Sequence, residues 1–168
     1  IEVGALSAIV RTLSLVLSTD EESARKRRNG SLNSYSGAPL LSALANLCFG
    51  SDAAGLLRKL RGLEAGVIQA TVQVMHSEGN SGETQGQALR LLAAMALGPD
   101  NDAGSCLRRH CITASGGIEL AIAALRQFPQ LHDINFGKGG GYRFMLAAKS
   151  IPSWRPLLLQ AGADPAWF

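Results

Sequence analysis

Apolar residues recur along most of this chain with the three-to-four-residue rhythm of amphipathic helices. Val67 to His76 and Ile118 to Phe128 each read as an apolar helix, and Thr84 to Leu97 as a longer one rich in Ala and Leu. Gly98-Pro99 stops that third helix, because proline cannot donate the next hydrogen bond. Polar residues gather in two places. The first is Thr19 to Gly37, which passes from Asp20-Glu21-Glu22 through Arg25-Lys26-Arg27-Arg28 into an Asn/Ser/Gly stretch. It reads as a flexible loop between two helices. The second is Gly137-Lys138-Gly139-Gly140-Gly141. Glycine lowers helix stability by roughly 1 kcal/mol per residue relative to alanine. The run therefore reads as a flexible connection, followed by a short helix from Tyr142 to Lys149 that ends at Ile151-Pro152.

The helical pattern repeats. A small or acidic residue, a glycine and an apolar helix start recur at Gly4, Gly66, Gly116 and Gly162, spaced 62, 50 and 46 residues apart. Helical repeats of two or three helices run at about 40–47 residues, so the long first spacing matches the polar insertion. A second block, Leu44 to Asp52, matches Leu92 to Asp100. A third, Leu56 to Gly66, matches Cys106 to Gly116. Each unit reads as three helices: a basic one ending at glycine, an apolar one, and a longer Ala/Leu-rich one. No unit buries its apolar faces alone; stacking on neighbours does that.

These blocks resemble the armadillo repeat family. Leu63-Glu64-Ala65-Gly66-Val67-Ile68 is similar to that family's junction between first and second helices, and Ala43-Leu44-Ala45-Asn46-Leu47-Cys48 to the end of its third helix. The resemblance implies an all-α, right-handed α-solenoid of about three repeats: 1–50 with the insertion 19–37, 51–98, 99–150, and a partial unit 151–168. It also implies a piece of a longer solenoid, since the chain starts and stops within a repeat. Leu157 to Pro165 is locally similar to an ankyrin-repeat ending, but no other unit has that family's spacing. In armadillo proteins the third helices line a concave groove. The residues that fall there are Ser42, Asn46, Arg90 and Ala94, with Tyr142 and Arg143 from the last third helix. Peptide-gripping family members carry ladders of Trp and Asn. Here Asn46 keeps the Asn position, Ala94 replaces it in the next unit, Ser42 and Arg90 stand at the Trp positions, and Trp154 and Trp167 fall elsewhere.

Composition narrows the function. Leu and Ala dominate a 46% hydrophobic chain, while aromatics make up only 5%, a balance that favours helix. The net charge of +3 is too mild to indicate nucleic acid by itself. No apolar run reaches the roughly 18 residues of a membrane span. Three Cys (Cys48, Cys106, Cys111) form no disulfide framework, which points to a reducing, intracellular and most simply cytoplasmic setting. Cys106, His110 and Cys111 lie within six residues, yet zinc wants a fourth ligand. They read as packing residues, the two Cys at core positions. His76, His110 and His132 fall in different units, and no cofactor, metal or catalytic set is expected. The glycine run is no P-loop. Arg25 to Arg28 and Ser31 match a basic patch and a basic-directed phosphorylation site, and Asn29-Gly30-Ser31 a glycosylation sequon.

One charged pattern recurs with the repeat. Arg58, Lys59 and Arg61 correspond to Arg108, Arg109 and His110, and Arg155 follows. Such a ladder either complements helix C-termini or forms a basic strip facing an acidic partner. The expected function is a non-catalytic scaffold or protein-interaction module, a subunit of an assembly or a holder of an acidic segment. A nucleic-acid-binding repeat using the basic ladder and a dispersed helical enzyme are the alternatives.

Overall fold

The computed structural model describes residues 3–18, 36–135 and 139–167, and in the first helix the side chains of 4–12. The basic run Arg25 to Arg28, most of the insertion, and Gly137 and Lys138 lie outside the described residues. The described chain is all helical, without a strand. In order come α1 (Val3–Ser18), α2 (Ala38–Leu47), α3 (Ala53–Glu64), α4 (Val67–Ser77), α5 (Gly82–Ala96), α6 (Ala103–Ala114), α7 (Gly117–Gln127), α8 (Gly140–Ser150) and α9 (Trp154–Gln160). Single 3-10 turns follow α7 at Pro129–His132 and α9 at Pro165–Trp167.

Helices in equivalent places pack on one another. Helix α5 lies between α2 and α8, α4 lies between α1 and α7, and α3 touches α6. A continuous core threads these layers, from Leu6, Leu41 and Leu44 through Ile68, Leu89 and Leu92 to Ile122, Phe144 and Trp154. The described helices therefore stack in layers along this core, each layer's apolar side covered by the next.

The junction glycines act as the sequence reading expects. Gly66, Gly116 and Gly162 have φ of 81°, 77° and 88°, the left-handed region where a β-carbon is strained. Each N–H closes a turn onto a carbonyl three residues back: Leu63 at 3.0 Å, Thr113 at 3.1 Å and Leu159 at 2.9 Å. Gly4 differs. It lies inside α1 rather than at a junction. Helix starts repeat too. The Asp52 carboxylate accepts from the Gly55 N–H at 2.8 Å, and Asp102 from the Ser105 N–H at 2.7 Å. Such N-caps contribute about 1 kcal/mol each. The cap shows that Asp52 corresponds to Asp102, not to Asp100 as the block match has it. Relative to the block match, α5 runs one residue further than α2, and the turn after it (97–102) is one residue longer than the turn after α2 (48–52).

Two packing expectations are corrected. Helix α8 starts at Gly140, not Tyr142, because its glycines are packing residues. A β-carbon on Gly140 would lie 1.8 Å from the Gly86 carbonyl oxygen of α5, and one on Gly141 would lie 2.3 Å from the Leu131 carbonyl oxygen. Backbone approach outweighs glycine's low helix propensity there. Cys106 is exposed rather than in the core, and Cys111 is half-buried. The inward face of α6 carries Ser105, Arg108 and Ile112, which turns Cys106 outward. Among the described residues, no group of three or more His, Cys, Asp or Glu is placed to hold a metal ion, and no helix is long and apolar enough to cross a membrane.

Candidate binding face

The expected groove residues stand on α2, α5 and α8, which lie side by side. Arg90 of α5 reaches across to α2, where Nη2 donates to Asn46 Oδ1 at 2.5 Å and Nη1 approaches Ser42 Oγ at 3.5 Å. Both partners are neutral. Burial holds the Arg90 pKa below its ordinary value, and the Arg143 charge on α8 adds to the effect. Ser42, Asn46, Arg90 and Arg143 thus come together on one face. Ala94 joins Arg90 and Arg143 in the wall of a cleft of about 390 Å³ between these helices. Tyr142 stands apart from that cleft. With His132 and Trp167 it borders a second hollow of about 260 Å³, and Leu146 belongs to both. Trp167 packs tilted on His132 with ring centroids 4.7 Å apart, so one of the two tryptophans placed elsewhere by sequence joins the α8 end of the face. Trp154 is in the core against Phe144.

Three large apolar side chains at the cleft were not foreseen. Phe49, Leu97 and Leu146 are 59%, 42% and 48% exposed, and all three line it. Phe49 and Leu97 occupy equivalent places, each just past the end of a third helix and before glycine. An apolar residue recurring outside the helical period, where no core can use it, was the available signal. The floor is made of short side chains, Ala45, Ala93, Ala94 and Ala147, and among the described residues neither Asp nor Glu lines the cleft.

The basic ladder has a different fate. Arg58 Nε donates to the Leu47 carbonyl at 2.8 Å and Nη2 to that of Phe49 at 2.9 Å. One repeat on, Arg108 Nε donates to the Met95 carbonyl at 2.7 Å, with Nη2 3.5 Å from that of Leu97. Each arginine caps the C-terminus of the preceding third helix, where carbonyls lack donors and the dipole is negative. Arg108 is 1% exposed, and its Nη2 also meets Ser105 Oγ at 2.9 Å. Desolvation lowers its pKa from the ordinary value. Arg109 binds the Ala96 and Gly98 carbonyls at 3.0 and 2.7 Å and the Asp100 carboxylate at 2.7 Å. Lys59 is 2% exposed, donates from Nζ to the Leu97 carbonyl at 2.8 Å, and lines the cleft. Burial pushes its pKa down from 10.5 to about 8, the Arg108 charge adding to this. Arg61 pairs with Glu64 at 2.8 Å on the surface, and Arg155 is exposed on α9.

Comparison of this chain with family models, with curated proteins and with solved structures returns no match.

Proposed function

We propose that this chain is a non-catalytic, armadillo-like interaction module that holds a segment of another protein on the face formed by α2, α5 and α8. The observation that carries the reading is the composition of that face. Exposed Phe49, Leu97 and Leu146 surround a trough floored by alanines, with Arg90 and Arg143 beside it. Apolar area that water still covers, next to cations that meet no carboxylate in the cleft, suits a segment with both leucine-like and acidic side chains. The armadillo assignment is supported by glycines of positive φ at three successive junctions and by contact between like-placed helices. The nucleic-acid alternative loses support, because Arg58, Arg108 and Arg109 direct their guanidinium donors at backbone carbonyls.

The reading is tested by selecting binders from a random peptide library displayed against the folded protein. Selected peptides should combine Asp or Glu with Leu or Phe. Their binding should fall with Arg143→Glu and with Leu146→Glu but not with Arg61→Glu on α3. Selected peptides indifferent to both face variants would overturn it.

A further inference from the structure

We propose that the cleft between α2, α5 and α8 is also a site for a small amphipathic carboxylate, a free acid with an apolar body. This goes beyond partner binding and does not depend on it. The cleft volume of about 390 Å³ falls in the range of roughly 300–1,000 Å³ typical of small-molecule sites. Its chemistry is divided. Alanines make the floor, and Phe49, Leu97 and Leu146 make the walls. Their exposed area would leave water around an alkyl or aryl body, at about 25 cal/mol per Å² buried.

The charged end is argued from the arginines. Arg90 and Arg143 come from adjacent helices, both line the cleft, and the Arg143 charge acts on Arg90. Among the described residues Arg90 donates to the Asn46 amide oxygen and approaches the Ser42 hydroxyl, both neutral. Among the described residues no carboxylate lines the cleft, and Lys59 adds a third cation to its lining. Two like charges held together without a counter-ion repel; one carboxylate between them relieves that repulsion and accepts charge-assisted hydrogen bonds from either fork. A neutral molecule of the same shape would gain only the apolar term, and a cation would be repelled. The ligand class is therefore an anion, and the alanine floor asks for an apolar body behind it.

Decanoate, decanol and decylammonium, each below its micelle concentration, are titrated into the protein by calorimetry and by amide-shift mapping. Decanoate should bind at one saturable site, with decanol weaker by about tenfold or more and decylammonium weaker still. Arg143→Gln should weaken decanoate by about tenfold and leave decanol unchanged. Leu146→Glu, at an exposed position that tolerates a polar side chain, should abolish decanoate binding. Arg11→Gln, at an exposed position of α1, should change nothing. Decanol binding as tightly as decanoate, or decanoate indifferent to Arg143→Gln, would overturn the proposal. Should decanoate fail to bind while library-selected acidic peptides bind this face, the small-ligand site is refuted and the interaction reading stands. The opposite pair of results refutes the interaction reading alone.

Discussion

Two pairs of arginines in this protein look alike in sequence and live differently in the fold. Arg58 and Arg108, on the first helices α3 and α6, are turned inward onto the carbonyls that end α2 and α5. Arg90 and Arg143, on α5 and α8, stand beside an apolar cleft that no carboxylate lines among the described residues. The first pair completes the backbone of the preceding repeat. The second pair has charge left to offer. A cation on a helical repeat is thus a candidate for recognition only after the carbonyls within its reach have been counted, because a helix C-terminus offers several acceptors without a donor.

The largest effect that separates the pairs is expected at Arg108. Arg108→Leu keeps much of the apolar stem volume but leaves the buried Met95 carbonyl without its donor. A buried polar group stranded in this way costs roughly 1–3 kcal/mol, and Ser105 Oγ loses the donor it accepts from while keeping its bond to the Asp102 carboxylate. Urea unfolding should show a loss of about 3 kcal/mol. A loss below about 0.5 kcal/mol, the range of ordinary surface changes, would mean that the cap is replaceable and the contrast false.

Lys59 provides the next test, through pH. Its pKa falls on folding from 10.5 to about 8, so between those values the unfolded chain binds more protons. Stability from this group therefore rises with pH across that window, by roughly 3 kcal/mol in total at 1.36 kcal/mol per unit. Cys48 works the other way. Burial pushes its thiol up from 9.0 to about 11, so the folded chain holds the extra proton and stability falls from pH 9 upward. The native protein should gain stability from pH 8 to 9 and then level off. Cys48→Ala should keep gaining to pH 10.5, whereas Lys59→Met should lose the gain and retain only the fall. Parallel curves for the native protein and Lys59→Met would show that Lys59 keeps its ordinary proton affinity in the fold.

Much of this architecture was legible in the sequence, for reasons that also mark where legibility ended. The starts of α4 and α7 and the junctions at Gly66, Gly116 and Gly162 could be read because local rules fix them: glycine for positive φ, apolar period for helix. The start of α8 could not. A propensity argument sees Gly140 only along its own helix, while its reason for being glycine is the Gly86 carbonyl on α5, more than fifty residues away. Cys106 went wrong similarly, since the inward face of α6 is set by Arg108 reaching back to α5. For the α2–α5–α8 face, the resemblance to armadillo repeats supplies Ser42, Asn46, Arg90 and Ala94 as expected groove positions. Phe49 and Leu97 left a trace in their shared place before a glycine, but Leu146 left none, because whether an apolar residue within a helix stays exposed depends on what the neighbouring helices cover.

Within the first pair, Arg58 should fall between Arg108 and the two arginines of the face. It makes the same two carbonyl bonds as Arg108 but is only half-buried, so water replaces part of what is lost. Arg58→Gln is expected to cost about 1 kcal/mol in urea unfolding, less than Arg108→Leu. An equal cost would assign the energy to the cap alone rather than to its burial.

The smallest effect is expected at the face itself. Arg90→Gln and Arg143→Gln remove cations whose neighbours are neutral side chains, cleft walls and each other. Arg90→Gln gives up hydrogen bonds to Asn46 and Ser42 but also relieves like-charge repulsion. Arg143→Gln gives up only the repulsion. Neither should change stability by more than about 0.5 kcal/mol, and Arg143→Gln should be neutral or slightly stabilising. The sign is informative, because a residue retained for the fold weakens it when removed. If Arg143→Gln costs as much as Arg58→Gln, the α8 arginine belongs with the structural pair and the two edges of the molecule no longer differ. If it is neutral in unfolding yet weakens a bound acidic segment, its charge serves the partner rather than the chain.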